Sequence, residues 1–221
     1  MSKISERLTK LGQTERSGFG FGARATSTKV PVILIGVSIK KVSDAADVDA
    51  DLFILAADSK GAAQATAVKD AEIWGVSISG GSSKEIDAAV EAGADFVVVE
   101  NESAPGAALR DDDTAKGFVV SADVTEDRAK AIEAAPFEFL VLDGTGLKLP
   151  LNVGSVFDVQ EELARYSCHI FLKVTEVPDQ INLELLRDIG ISALIYDGGS
   201  ISSEDLATLR KTIDLLEPKK Q

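Results

Sequence analysis

The chain has 221 residues, 45% of them hydrophobic and 27% charged, and a formal net charge of −13. That balance suits one soluble domain with a sizeable core, and its acidity excludes an unaided grip on nucleic acid or anionic membranes, which call for clustered Lys and Arg. The single cysteine, Cys168, cannot close an internal disulfide, and the opening MSKISERLTK carries no apolar leader, so a reducing cytoplasm is the expected compartment.

Residues 3–11 (KISERLTKL) place Ile4, Leu8 and Leu11 on one side of a short helix. SGFGFGAR (17–24) reads as a mobile loop. Its GFGFG core precedes a strand instead of following one, with the wrong spacing for a dinucleotide fingerprint. Eight short apolar runs then recur: VPVILIGVS (30–38), DLFILAAD (51–58), EIWGVSIS (72–79), DFVVVE (95–100), GFVVSAD (117–123), FLVLDG (139–144), HIFLKV (169–174) and ALIYDG (193–198). Most end in a polar or acidic residue and lead into a helix-like stretch. Ser43 can cap a weak helix in SDAADVDA, and residues 60–70 (KGAAQATAVKD) are rich in helix formers. Ser82 or Ser83 opens KEIDAAVEAG, which Gly93 stops, while 105–115 carries a short helix at best. Thr125 opens TEDRAKAIEAA as a partial capping box, with Arg128 in place of the acid. Ser155 starts SVFDVQEELARYS, and NLELLRDIG ends on Gly190. Ser202 opens the last helix, with Asp205 three residues on and Pro218 at its end.

Eight strand–helix units in this length predict an α/β fold: a single closed parallel (β/α)8 barrel, the TIM barrel. Residues 1–221 form one domain, 1–29 being a helical N-terminal extension and 30–218 the barrel; no linker interrupts the series. The halves resemble one another in pattern: 75–102 compares with 172–199, and 36–59 with 121–144, a half-barrel repeat of four plus four units. Phe19 and Phe21 are expected to seal the barrel's base or join a subunit contact.

Active sites on this fold lie at the C-terminal ends of the strands. Helices cover the barrel outside, so a polar residue within an apolar run points inward, and side chains alternate along a strand. Run by run, this brings to the mouth Ser38 and Lys40 above Gly36, then Asp58, Ser77 above Gly75, Glu100, Asp123 above Ser121, Asp143, Lys173 above Phe171, and Asp197, with Tyr196 the alternative for the last inward slot. Lys173 is the one cation inside a strand run. A desolvated lysine turns neutral and attacks carbonyls; one beside carboxylates stays charged and acts as a clamp or acid, the role favoured by this acidic ring. The competing role is a structural ion pair. Asp123 and Asp143 are the candidate proton carriers. The carboxylates could equally bind Mg²⁺ or cap helices. His169, the sole histidine, starts its run about 13 Å below Lys173 and is expected to be structural, as is Cys168. One histidine leaves no basis for a multi-histidine zinc site, and no metal site is expected.

Two glycine pairs follow strands. Gly198, Gly199 and Ser200 form a candidate phosphate cradle after the eighth run, and Gly80, Gly81 and Ser82 would be the twofold mate; plain turn geometry is the alternative. DGTGLKLPLNVGS (143–155), with Lys148, is a candidate lid, as is 101–116 with Arg110.

The half-repeat, the short units and the glycine pair after the eighth strand resemble the phosphate-binding TIM barrels of tryptophan and histidine biosynthesis. The resemblance implies a phosphosugar-type ligand held by the last two loops. KVTEVPDQ (173–180) lacks the glycine usual after the seventh strand, and Ser38 stands where twofold histidine-pathway isomerases carry an acid, though Asp123 fits their second acid. KVPVILIGVS is also faintly similar to the first strand of flavin-dependent barrels. The expectation is a lyase, isomerase or synthase acting on a small phosphorylated carbonyl compound. The alternatives are an FMN-binding barrel or a non-catalytic barrel that binds a ligand or partner, and homo-oligomers are allowed by either.

Overall fold

The computed structural model describes residues 1–17, 26–40, 48–56, 68, 71–110 and 113–219. Asp58, the GFGFG segment with Phe19 and Phe21, the segment after Ser43 as far as 47, and all of 60–70 except Val68 lie outside the described residues.

Eight parallel strands close into a barrel. They are β3 (Leu34–Ile39), β4 (Leu52–Ala56), β5 (Trp74–Ile78), β6 (Phe96–Val99), β7 (Ala115–Val120), β8 (Phe139–Asp143), β9 (His169–Lys173) and β10 (Ile191–Asp197), and β10 pairs with β3 to complete the ring. Each of the eight apolar runs overlaps one barrel strand, though β7 starts two residues before its run and takes in Lys116, a second cation within a barrel strand besides Lys173. One difference lies at the start: the first barrel strand begins at Leu34, and an antiparallel ribbon precedes it, β1 (Thr14–Ser17) on β2 (Thr26–Lys29), with Thr14 opposite Lys29. These two short polar strands lack the apolar alternation that marks a half-buried strand, so neither stands out in the sequence.

Two packed layers follow from strand alternation. Leu34, Leu52, Ile54, Phe96, Val98, Ala115, Phe139, Val141, Phe171, Ala193 and Ile195 fill the interior. Ile35, Val37, Phe53, Trp74, Val97, Phe118, Leu140, Leu172, Leu194 and Tyr196 face the helices. Tyr196 is therefore an outward residue, which leaves the inward slot to Asp197. Gly36, Gly75 and Gly117, on alternate strands, make room for this filling: a Cβ on Gly75 would collide with Phe96, and one on Gly117 with Phe139. Phe139 in turn stacks on Phe171, with ring centroids 4.2 Å apart, and meets Phe96 edge-on at 5.7 Å.

The outer helices start at side-chain caps. Ser82 precedes α2 (Ser83–Glu91), Thr125 precedes α3 (Glu126–Glu133), Asp179 precedes α5 (Gln180–Ile189) and Ser202 precedes α6 (Ser203–Leu215). Gly190 ends α5 in the left-handed conformation, φ 107°. The helix expected from Ser155 starts earlier: Asn152 is the cap of α4 (Val153–Leu163), its side chain accepting the Ser155 N–H. Asn is as good a cap as Ser, and the two candidates are three residues apart. Between β6 and β7 a 3-10 turn forms, Gly106–Leu109, the one helical element there among the described residues.

The first helix, α1 (Lys3–Thr9), plugs the N-terminal end of the barrel. Ile4 and Leu8 are buried against the interior cluster, contributing about 1.5–3 kcal/mol each. Asp95, just before β6, accepts both the Lys3 and Ile4 N–H groups at 2.8 Å, and Ser5 donates to Glu138 just before β8. With the base closed, ligand access is left to the opposite end. Among the described residues no helix is long and apolar enough to cross a membrane.

Candidate active site at the C-terminal mouth

Closure of the barrel sets the last residues of β3, β8, β9 and β10 side by side. In register, Asp143 lies beside Lys173, Lys173 beside Ile195, and Asp197 beside Ser38. Lys173 Nζ is 3.1 Å from Asp197 Oδ2, and Lys40 Nζ approaches Asp197 Oδ1 to 3.9 Å. One carboxylate thus stands between two lysines from opposite flanks. Lys173 and Asp197 are each about one-third exposed (35% and 32%), so the pair faces the mouth instead of lying sealed in the core. A partly solvated lysine in ion-pair contact is suited to act as a charged clamp, in contrast to the desolvated amine a Schiff base requires. Asp197 Oδ1 is enclosed and accepts no hydrogen bond among the described residues.

Asp143 is fixed by its own turn. Oδ1 accepts the Thr145 N–H at 2.9 Å and the Thr145 hydroxyl at 2.7 Å. These bonds, the hydroxyl's first, hold the carboxyl below its ordinary range, and the nearby Lys173 charge adds to the effect. Asp143 is therefore ionised at neutral pH, and the Thr145 bonds orient it while weakening it as a proton acceptor. Thr145 went unnoticed in the sequence, although Asp-Gly-Thr is the spacing of an Asx turn and carried the signal.

The other expected mouth residues are spread out. Ser38 is half-buried, and its carbonyl accepts the Gly198 N–H at 2.7 Å. Ser77 is buried inside the barrel, and Glu100 is exposed just past β6. Asp123 is exposed in the turn beyond β7, without an ion pair or hydrogen bond to Lys173 among the described residues. No three of the described acidic, histidine or cysteine side chains gather closely enough to hold a metal ion.

The turn after β10 has the shape expected of a cradle, with Gly199 at φ 79°. Its donors are partly committed: Gly198 N–H goes to Ser38, and the Ser200 N–H and hydroxyl both fold back on the Asp197 carbonyl. Gly199 keeps an N–H without a partner among the described residues. The twofold mate is filled differently. The Glu85 carboxylate lies where a Gly81 side chain would go, and Oε2 accepts the Ser82 N–H at 3.4 Å. That turn is occupied by an anion of the protein's own and serves as a helix start.

Described residues of both candidate lids are tied to the rest of the protein. Leu149 N–H donates to Glu176 and Leu151 N–H to Asn182, and Leu147, Leu149 and Leu151 pack beside Leu172, Val174 and Leu186. Arg110 pairs with Asp87 at 2.8 Å. His169 sits at the start of β9, with Nδ1 3.1 Å from the Ser192 hydroxyl, far from the mouth as its position in the run implies. Burial lowers its pKa.

No protein-family model matches the chain, and no curated protein matches it by sequence. Solved structures match by fold. KGPDC from Streptococcus mutans superposes with a TM-score of 0.62 at 12% identity, over 82% of this chain and 97% of that one. Phosphoribosyl anthranilate isomerase from Thermus thermophilus gives 0.57 at 15% identity, over 82% and 98% of the two chains. Thiamine phosphate pyrophosphorylase from Pyrococcus furiosus gives 0.56 at 13% identity, over 82% and 95%. The resemblance drawn from the sequence is therefore met in fold: the chain is a TIM barrel similar in structure to these proteins.

Proposed function

We propose that the C-terminal mouth binds a small phosphorylated carbonyl compound and catalyses a lyase, isomerase or synthase reaction that begins by proton transfer next to the carbonyl. The observation that carries this reading is the charged Lys173, held 3.1 Å from Asp197 and in register with the ionised Asp143. Lys173 donates a hydrogen bond to the substrate carbonyl oxygen, where negative charge develops as an enolate forms. Asp143 takes the proton from the adjacent carbon; its Oδ1 is engaged by Thr145, so Oδ2 is the accepting atom. Asp123, exposed beyond β7, is the second proton carrier. The Gly198–Gly199–Ser200 turn, which leads to the Ser202 cap of α6, contributes the Gly199 N–H to the phosphate. The names of the structural neighbours, with phosphoribosyl and thiamine phosphate among them, support a phosphorylated ligand class.

The test is exchange of carbon-bound hydrogen with deuterated solvent, followed by proton NMR, across a panel of phosphorylated ketoses and aldoses. Exchange with one member is expected, and Lys173→Met and Asp143→Asn should each reduce it by at least about a hundredfold while melting stays unchanged. No exchange with any member, or full exchange in Lys173→Met, would remove the reading.

A further inference from the structure

The turn after β10 offers a phosphate too little. Two of its three N–H groups are already bonded to protein carbonyls, and the helix it opens carries Glu204 and Asp205 in its first turn. A dianion placed there meets acidic side chains within a protein of net charge −13. Positive charge must come from side chains, and the barrel seam supplies it.

Lys40 lies at the end of β3, at the seam where β3 meets β10. Its side chain is 67% exposed, and at 3.9 Å from Asp197 Oδ1 it is in ion-pair range but beyond hydrogen-bond distance. It makes no hydrogen bond among the described residues, so all three ammonium N–H groups are available. Lys173, on the other side of the same carboxylate, is in ion-pair contact with Asp197 Oδ2 at 3.1 Å. Asp197 thus holds two ammonium groups at one rim while satisfying neither. Two ammonium groups beside one carboxylate leave this rim with a net positive charge, which attracts a further anion. The Gly199 N–H, two residues beyond Asp197, adds an uncharged donor to the same rim.

We propose that Lys40 and Lys173, spaced by Asp197, form a two-lysine clamp in which Lys40 takes the ligand's phosphate and leaves Lys173 to its carbonyl. The assignment of Lys173 rests on the function proposed above; the assignment of Lys40 rests on the seam itself. The clamp makes Lys40 a binding residue, and it limits the ligand to one whose phosphate and carbonyl lie a few bonds apart, since both lysines reach one carboxylate.

The experiment titrates inorganic phosphate into the full chain at constant ionic strength, by phosphorus NMR and by chemical shifts of the lysine side chains. Wild type is expected to bind at millimolar concentration. Lys40→Met should weaken binding about tenfold, Lys173→Met should weaken it less, and Asp197→Asn should tighten it by removing the competing carboxylate. Lys40→Met is a substitution at an exposed position, and a melting curve superposable on wild type confirms that it folds. Absence of phosphate binding in wild type, or equal binding in Lys40→Met, overturns the clamp. The two proposals fail separately. If phosphate binding falls in Lys40→Met but no sugar phosphate exchanges hydrogen, the clamp stands and the chemistry does not. If exchange occurs with an unchanged KM in Lys40→Met, the chemistry stands and the clamp does not.

Discussion

Gly117→Ala probes the barrel interior with a single methyl group. Gly117 lies on β7, and a Cβ built there falls within 2.8 Å of three ring carbons of Phe139. The nearest ring carbon would lie at 2.2 Å and ordinary contact begins near 3.4 Å, so that carbon must move by about 1.2 Å. It cannot do so freely, because Phe171 stacks on one side at 4.2 Å and Phe96 abuts it at 5.7 Å. Overpacking of this kind costs typically 1–3 kcal/mol, and the confined ring places the variant at about 2–3 kcal/mol. For a domain of this size that lowers Tm by roughly 4–12 °C. The assay is urea and thermal unfolding by circular dichroism. Gly146→Ala is the control, since nothing lies within 4 Å of its Cβ position. Adding Phe139→Leu to Gly117→Ala should recover part of the loss, giving a coupling of about 1 kcal/mol or more. A Gly117→Ala variant as stable as wild type would refute this account of the interior.

Other outcomes follow from the same packing and electrostatics. Ile4→Ala should cost about 2–5 kcal/mol, because the residue is fully buried under the barrel, and a Tm within 1 °C of wild type would contradict the plug. Thr145→Val removes the hydroxyl bond that most lowers the Asp143 pKa, so a carbon NMR titration should move that pKa up toward 3.8. Because the folded value lies below the unfolded one, the stabilisation is present above the ordinary Asp range and is lost as pH falls through the folded pKa; Thr145→Val should shrink that acid dependence. Burial pushes the Cys168 thiol up to about 11, so alkylation by iodoacetamide should be slow at pH 8 and accelerate only above about pH 10; rapid reaction at pH 7 would place the thiol elsewhere.

The barrel was legible because burial on both faces leaves continuous apolar strands, and each of the eight runs overlaps one. Inward parity was legible for the same reason: Lys173 and Asp197 stand out against outward Leu172 and Tyr196. The ribbon of TERS and TSTK was not, since it pairs through backbone groups and carries no apolar pattern. The contact between Lys40 and Asp197 was hidden by distance along the chain, yet closure makes the first and eighth barrel strands neighbours, so the rule that predicted the barrel also implied that meeting. Commitment of the Gly198 and Ser200 donors depends on local turn geometry that glycine content alone does not specify. The Glu85 carboxylate over Gly81 shows a similar pair of glycines put to a different use.

The most direct measurement is amide and lysine side-chain chemical-shift mapping of the labelled protein during titration with a phosphorylated ketose. Saturable shifts confined to Lys40, Asp123, Asp143, Lys173, Asp197 and Gly199 are expected. Shifts that cluster instead at α1 and the N-terminal end of the barrel, or no shifts at any concentration, would contradict the claim that the C-terminal mouth is where this protein works.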